Sequence, residues 1–325
     1  MTSCRLPGIW SLICLSAALV SCTNARRESL SDSERATARA TLSQWEQGTI
    51  ASYTAKDGVL LRARVYAPAG PPTAVVVAVH GLQTHSQWYA PLAGALGRSG
   101  IAVFAIDRRG SGLNKTPDNP GQLTSQQDYS LWLDDISSAI HEASRRYNEA
   151  PVYLVGNSWG GNPVLAWAVR AGQTKAVRGV ILLTPGLSAR KPTFLQKLTI
   201  ALSPGDRLLG TCLAVTDYSR KHETWALLEE DPHLTRTVSS RFFKQSDKMR
   251  SGALKHLSSI RVPLLTILAA DDELMKNDAI TDALRQGVSS NLLEIRSVPN
   301  RAHLLLTEDP AAVASEISGW VARHL

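Results

Sequence analysis

The sequence Gly-Asn-Ser-Trp-Gly at residues 156–160 contains the side chain best suited to nucleophilic chemistry, that of Ser158. It follows a short apolar run at 152–155 and precedes an Ala- and Val-rich segment with helical spacing. A buried strand that turns into a helix through Gly-x-Ser-x-Gly exposes the serine hydroxyl on a sharp turn. Glycines are needed at 156 and 160 because a Cβ would crowd the strand-to-helix packing. The helix also points free N–H groups at the serine, which favours an oxyanion there. The alternative is a Gly-rich junction with an ordinary surface serine.

A serine nucleophile needs a base within hydrogen-bond reach and a third group that fixes the tautomer of the base. Where strands and helices alternate, these partners follow later strands in the chain order serine, acid, histidine. Asp272 follows the strand-like run 262–270, and His303 follows the run 292–298. We therefore expect Ser158, Asp272 and His303 to converge. Asp271 competes for the place of the acid, with Asp272 preferred and Asp271 or Glu273 interpreted as solvated loop charges.

The other histidines and the Gly110-x-Gly112 pair have interpretations other than catalysis or cofactor binding. His80 is tied to a strand end beside a glycine, and His85 is a candidate for the mouth of the site. The remaining histidines fall in helical or inserted stretches: His141, His222, His233, His256 and His324. No histidine or cysteine spacing is typical of a zinc site, and Gly110-x-Gly112 lacks the third glycine of a dinucleotide-binding loop. The sequence therefore predicts neither a metal nor a cofactor.

Strand-like and helix-like runs alternate along most of the chain, which predicts a mostly parallel sheet flanked by helices. A hairpin signal, Asp57-Gly58, separates two alternating runs near the start. Apolar runs at 74–79, 101–106 and 177–184 are suited to buried parallel strands. Helices are predicted at 89–98, 124–147, 278–287 and 310–324, with Asp134 and Asp135 on the surface or near helix junctions.

Residues 186–260 interrupt this alternation with helical patterns and no clear strand pattern. Phe194, Leu195, Leu198 and Leu202 fall on one helical face. We interpret this stretch as a helical cap, inserted after the sixth strand and lying over the active site. The catalytic domain would then span residues 48–325.

The composition is that of a soluble globular protein, with 44% hydrophobic and 19% charged residues among 325. The net charge of +7 is spread along the chain without a long basic run or a nucleic-acid motif. Nucleic acid is therefore not an expected partner, and the charge suits a solvated surface or anionic lipid headgroups.

Residues 1–21 predict a bacterial lipoprotein signal peptide. Arg5 is the only charged residue before the apolar stretch 9–20, which has the length of a signal-peptide core and is too short to span a bilayer. Leu19-Val20-Ser21-Cys22 resembles the lipobox, in which Cys22 is diacylated and becomes the mature N-terminus. The alternatives are a plain secretory peptide and a retained anchor helix.

Lipidation at Cys22 would bring several acyl chains to one terminus, which suffices for stable anchoring. Residues 22–47 are interpreted as a tether, helical near 32–44, that keeps the domain off the bilayer. The expected location is the cell envelope, and Thr23 in place of Asp favours the outer membrane if the envelope is Gram-negative.

Several motifs together resemble the monoacylglycerol lipase and lysophospholipase branch of the α/β-hydrolases, also called the serine aminopeptidase family. They are His80-Gly81-Leu82 with His85-Ser86 and Tyr89, Asp107-x-Arg109-Gly110-x-Gly112, Gly156-x-Ser158-x-Gly160-Gly161, Asp272-x-Leu274 and Ala302-His303. The resemblance covers roughly residues 50–323. It implies the α/β-hydrolase fold, Ser158 as nucleophile, Asp272 and His303 as its partners, and the backbone N–H groups of Leu82 and Trp159 as oxyanion hole.

The same resemblance implies hydrolysis of carboxylic esters through an acyl-enzyme, and the apolar cap and lipid tether suggest monoacylglycerol- or lysophospholipid-like substrates. The chain departs from these lipases at Gln83-Thr84-His85, where they often carry Gly-Glu-His, and at Ser111, where histidine is common. One alternative is an aminopeptidase with the same triad, in which Glu229, Glu230 or Asp231 could hold the substrate amine. The others are a cofactor-free haloperoxidase and a non-catalytic envelope lipoprotein.

Overall fold

The computed structural model describes residues 30–116, 123, 127–148, 150–172, 174–190, 194–211 and 213–325, without the side chains of 194 and 195. The predicted signal peptide 1–21 and the acylation site Cys22 lie outside these residues. No helix in the described part of the chain combines the length and the apolar composition that crossing a bilayer requires.

A mostly parallel sheet forms the centre of the molecule. The strands are β1 (Thr49–Thr54), β2 (Leu60–Tyr66), β3 (Ala74–Val79), β4 (Ile101–Ile106), β5 (Val152–Asn157), β6 (Gly179–Leu183), β7 (Leu208–Gly210), β8 (Thr237–Ser239), β9 (Leu264–Ala269) and β10 (Leu293–Val298). The main sheet has the order β1-β2-β4-β3-β5-β6-β9-β10, and β7 pairs only with β8. β2 runs antiparallel to β1 and β4, and the other pairs of the main sheet are parallel.

The sequence accounts for this arrangement. Every residue of β3, β4, β5, β6 and β9 is buried, as expected for parallel strands covered on both faces. The turn between β1 and β2 contains Gly58 at φ +83°, a backbone conformation that glycine adopts without a steric penalty. The predicted hairpin and the predicted mostly parallel sheet are confirmed.

Helices flank the sheet. Outside the insertion they are Ala90–Gly97, Ser130–Arg146, Gly161–Ala171, Asn277–Gly287, Leu305–Glu308 and Pro310–Arg323. The helix Ser130–Arg146 packs against β1, β3 and β5, and Gly161–Ala171 packs against β5 and β6. The helix expected at 124–147 begins at Ser130 in the described part of the chain, where the Asp128 carboxylate accepts the backbone N–H of Ser130 at 2.8 Å. Residues 124–126 lie outside the described residues.

The chain leaves the main sheet after β6 and returns to it at β9, so the helical insertion follows the sixth strand as predicted. Its helices are Phe194–Leu202, Val215–Tyr218, His222–Glu230 and Ser240–Lys255. The insertion also contains the antiparallel ladder of β7 and β8, which the sequence analysis missed. Each of these strands has three residues, too few to produce a recognisable alternation of apolar and polar side chains.

The N-terminal helix, Asp32–Trp45, packs against the inserted helix His222–Glu230. Ala38 and Leu42 bury their side chains in the core. Arg35 contacts Glu229 and Glu230 at 3.1 and 2.7 Å. The second half of the predicted tether is therefore folded onto the domain, since its apolar face has a partner there.

Candidate active site

The turn that carries Ser158 joins β5 to the helix Gly161–Ala171 through a short 3-10 turn, Ser158–Gly160. Ser158 has φ +53°, which a non-glycine residue rarely adopts. A Cβ at Gly156 would overlap the carbonyl group of Gly160, and one at Gly160 would lie 2.6 Å from the carbonyl oxygen of His80. The predicted packing reason for both glycines is confirmed. The strained backbone aims the serine hydroxyl away from the sheet, as in a nucleophile elbow.

Three side chains from separate loops form a continuous hydrogen-bonded chain. His303 Nε2 lies 2.8 Å from Ser158 Oγ, and His303 Nδ1 lies 2.8 Å from Asp272 Oδ2. His303 is fully buried and Asp272 is 6% exposed. With the Nδ1 proton donated to the carboxylate, Nε2 is free to accept the serine proton.

The structure distinguishes the two adjacent candidate acids. Asp272 Oδ1 accepts hydrogen bonds from the backbone N–H groups of Leu274 and Met275, both at 2.9 Å, which fixes the carboxylate beneath His303. Asp271 and Glu273 instead bind Arg220, at 3.2 and 3.0 Å, on the outside of the loop. Asp272 rather than Asp271 therefore contacts the histidine.

The loop after β3 brings Gly81, the residue before Leu82, close to the serine. A Cβ at Gly81 would lie 3.4 Å from Ser158 Cβ, an ordinary contact distance, and 3.1 Å from Thr84 Oγ1. The carbonyl of Leu82 accepts a hydrogen bond of 2.6 Å from Arg108 Nη2. Trp159 follows Ser158 directly within the 3-10 turn Ser158–Gly160. Of the two residues expected to supply the oxyanion hole, Trp159 is thus the chain neighbour of the nucleophile, and Leu82 follows Gly81, which lies close to it.

His80 and His85 are structural. Burial lowers the pKa of His80 well below its usual value, so the imidazole is neutral. Its Nε2 accepts from the backbone N–H of Arg108, which leaves Nδ1 to donate to the Gly81 carbonyl. His85 was expected at the mouth of the site, and this is wrong. Its ring is 2% exposed and binds Asp231 at 2.9 Å, because the insertion covers it.

The motif Asp-x-Arg-Gly-x-Gly at 107–112 builds a buried turn. The Asp107 carboxylate accepts hydrogen bonds from the backbone and the hydroxyl of Ser86 and from the Leu113 backbone. Arg109 binds Asp57 and Asp135 in two bidentate pairs of 2.7–2.9 Å. Asp135 was expected on the surface or near a helix junction, and this is wrong, since it lies inside the helix Ser130–Arg146 and is buried against this guanidinium.

The acidic residues considered for binding a substrate amine have other partners. Glu230 binds Arg35 and Arg39 at 2.7 and 2.6 Å, and Glu229 binds Arg35. Asp231 accepts from the Trp88 indole at 2.6 Å in addition to its contact with His85. None of these three carboxylates stands free to receive an ammonium group.

Two side chains near the site were missed by the sequence analysis. Arg108 reaches Leu82 and also lies over the rings of Trp159 and Phe242. The ring of Tyr218 packs 5.9 Å from that of His303, and its buried hydroxyl has no hydrogen-bond partner among the described residues. Arg108 lies two residues after the predicted strand 101–106, which is the one signal that could have identified it.

The fold and this arrangement define an α/β-hydrolase with a serine, a histidine and an aspartate at the carboxyl edge of the sheet. The model of the family described as "Serine aminopeptidase, S33" matches residues 70–310. This match covers most of the chain, and the protein belongs to that family.

Relatives and solved structures agree with this assignment. The chain is 24% identical to a monoacylglycerol lipase of Mycolicibacterium smegmatis over 84% of its length and 97% of that protein. It is 26% identical to the phospholipase YtpA of Bacillus subtilis over 73% of its length and 90% of that protein. A soluble variant of the Saccharomyces cerevisiae monoglyceride lipase, solved with a substrate analogue, superposes with a TM-score of 0.74 at 18% identity, covering 86% of this chain and 97% of that one.

Proposed function

We propose that this protein hydrolyses carboxylic esters through an acyl-enzyme on Ser158. The observation that carries the proposal is the unbroken chain from Ser158 Oγ through His303 to Asp272, with both links at 2.8 Å. A buried imidazole held in one tautomer by a carboxylate is what a serine hydroxyl needs to become a nucleophile at neutral pH.

In the proposed reaction, His303 Nε2 takes the hydroxyl proton as Ser158 Oγ bonds to the ester carbonyl carbon. The backbone N–H groups of Leu82 and Trp159 stabilise the resulting oxyanion, each by about 3 kcal/mol. His303 then returns the proton to the departing alcohol, which leaves the acyl group on the serine. A water molecule, deprotonated by the same imidazole, attacks the acyl-enzyme and releases the carboxylic acid.

The proposed substrates are esters with one acyl chain, of the monoacylglycerol or lysophospholipid kind. Two observations support this choice. The relatives named above are lipases and a phospholipase that align over most of the chain. The insertion also exposes apolar side chains, among them Leu198, Leu202 and Leu208, which suit an acyl chain or a lipid surface better than water.

A panel of esters tests the proposal. Wild type should hydrolyse monoacylglycerols and lysophospholipids, and Ser158→Ala should abolish the activity on both. A fluorophosphonate probe should label the wild type and leave Ser158→Ala unlabelled. Cleavage of short nitrophenyl esters without any activity on long-chain lipids would disprove the substrate class, and absence of labelling in folded protein would favour a non-catalytic scaffold.

Two further assays test the alternative activities. Hydrolysis of an aminoacyl-naphthylamide would show peptidase activity, and bromination would show haloperoxidase activity. We expect no peptidase activity, since Glu229 and Glu230 are paired with arginines and Asp231 is bonded to His85 and Trp88. Turnover of the naphthylamide at a rate comparable to the esters would reverse this assignment.

We also propose that the chain is a lipoprotein of the bacterial cell envelope, diacylated at Cys22. The support is the sequence of residues 1–22, with its apolar core and its resemblance to a lipobox. Cells grown with an alkyne analogue of palmitate should label the wild type and fail to label Cys22→Ser. Equal labelling of the two proteins, or recovery of the wild type in the soluble fraction, would contradict the anchor.

A further inference from the structure

Arg108 contacts both residues that are proposed to supply the oxyanion hole, Leu82 and Trp159. Its Nη2 donates to the carbonyl of Leu82 at 2.6 Å. The centre of its guanidinium group lies 5.4 Å from the ring of Trp159, within the range of a cation–π contact. One side chain therefore restrains the two segments whose backbone N–H groups are proposed to bind the oxyanion.

The charge of Arg108 lacks the compensation that its neighbour receives. Arg108 is 5% exposed, and its Nε and Nη1 have no hydrogen-bond partner in the described part of the chain. Arg109, the next residue, is paired with Asp57 and Asp135. The carboxylate of Asp107, adjacent to Arg108 in sequence, is bonded to Ser86 and Leu113 instead. Burying a cation without a hydrogen-bonded carboxylate partner costs free energy.

The residues around Arg108 hold its charged guanidinium in place and shield it from water. Burial lowers the pKa of Arg108 to about 10, so the guanidinium remains protonated at neutral pH. The ring of Phe242 lies 5.0 Å below it and stacks on Trp159 at 5.1 Å. Aromatic walls exclude water, and a charge acts more strongly through such an environment than through solvent.

We propose that Arg108 is a positioning residue for the oxyanion hole. It holds Leu82 and Trp159 in register with Ser158, and its unpaired charge favours the negative charge that develops on the ester oxygen. The Asp107 carboxylate offsets part of that field and raises the pKa of Arg108 against the larger effect of burial, but no carboxylate is hydrogen-bonded to Arg108 in the described part of the chain. This inference rests on the proposed ester hydrolysis at Ser158.

The experiment compares Arg108→Met and Arg108→Lys in the full chain, on a neutral nitrophenyl ester, a monoacylglycerol and a lysophospholipid. Arg108→Met should lower kcat about tenfold or more with little change in KM, because the lost interaction belongs to the transition state. A boronic acid that forms a tetrahedral adduct with Ser158 should bind more weakly by the same factor. Arg108→Lys keeps the charge and should recover part of kcat.

Arg64 provides a matched control. It is also buried, donates to a backbone carbonyl, that of Glu46 at 2.9 Å, and has an unpartnered Nε among the described residues. It lies on β2, which β4 and β3 separate from β5 and Ser158. Arg64→Met should leave kcat unchanged, while circular dichroism and thermal melting report the folding of each variant.

Three results would overturn the inference. One is an Arg108→Met enzyme with the kcat of the wild type. Another is a loss confined to KM and to phosphate-bearing lysolipids, which would make Arg108 a substrate-binding residue. The third is an equal loss of kcat in Arg64→Met, which would indicate general destabilisation. Should Arg108→Met not fold, Arg108→Gln removes the charge instead. A wild type that neither hydrolyses esters nor reacts with a fluorophosphonate would refute the proposed function itself, a separate outcome.

Discussion

Thr184 Oγ1 donates a hydrogen bond of 3.0 Å to the backbone carbonyl of His303. Thr184 directly follows β6 and has φ +40°, and both residues are fully buried. The bond joins the end of one central strand to the loop that carries the histidine. The position of the imidazole is therefore set partly by a residue 119 positions earlier in the chain.

Replacing Thr184 by valine should loosen this loop. Loss of one buried hydrogen bond costs about 1 kcal/mol, and if it falls on the transition state, kcat drops about fivefold. Thr266→Val is the control, because the buried Thr266 hydroxyl on β9 has no partner among the described residues. Steady-state kinetics should give a lower kcat for Thr184→Val than for Thr266→Val. Equal kcat values would count against the role of Thr184.

Asp272→Asn should lower kcat far more than Asp271→Asn. An asparagine cannot hold the required histidine tautomer, and the same change in a known triad costs about 10⁴-fold. The Asp271 carboxylate binds the exposed Arg220 on the outside of the loop, so its replacement should leave kcat nearly unchanged. Ester hydrolysis by the two variants decides between the adjacent carboxylates, and a larger loss in Asp271→Asn would reverse the assignment.

Gly160→Ala should destabilise the protein by about 3 kcal/mol, because its Cβ would meet the carbonyls of Val79 and His80. Gly94→Ala lies within the helix Ala90–Gly97, where a Cβ would contact nothing within 4 Å. That change should stabilise the protein by about 0.5–1 kcal/mol. Chemical denaturation of both variants measures the difference, and a neutral Gly160→Ala would show that the turn can relax.

Leu42→Ala should reveal that the N-terminal helix is part of the folded domain. Leu42 is buried against the core, so its truncation should lower the free energy of unfolding by about 2–5 kcal/mol. Leu202→Ala removes the same atoms from a side chain that is 76% exposed. This change should alter the free energy of unfolding by less than about 0.5 kcal/mol. Similar melting temperatures for the two variants would indicate that the helix is dispensable.

Asp231 should make stability depend on pH at the acid end. Burial tends to raise the pKa of Asp231, but hydrogen bonds from His85, Trp88 and the His233 backbone outweigh it, and the pKa lies below its usual 3.8. The carboxylate therefore stabilises the fold above pH 3.8, and this contribution disappears as the pH falls through the lower folded value. Asp231→Asn should be less stable than wild type near pH 7, with the gap closing in acid. Denaturation curves at several pH values measure it, and a constant gap would contradict the assignment.

Much of the fold could be predicted from the sequence because its causes are local. A continuous run of β-branched residues such as 74–79 is typical of a parallel strand that is buried on both faces. Such a run therefore indicates a strand without information about the segments that pack against it. The pentapeptide around Ser158 is likewise recognisable by itself. A Cβ at Gly156 would overlap the Gly160 carbonyl within the turn, whereas one at Gly160 would meet the carbonyls of Val79 and His80 at the end of a neighbouring strand. The chain order of serine, acid and histidine follows from the same alternation of strands and helices.

Only the tertiary structure decided which distant side chains meet. Asp271 and Asp272 are identical in type and adjacent, and the direction of one loop determines which of them reaches His303. Arg35 and Glu230 lie 195 positions apart, so no local pattern could show that the presumed tether packs on the insertion. His85 is buried for the same reason: its cover, Asp231, comes from a segment 146 residues later. The periodicity of apolar residues indicates whether a side chain is buried. Which residue it contacts depends on how distant segments of the chain pack together.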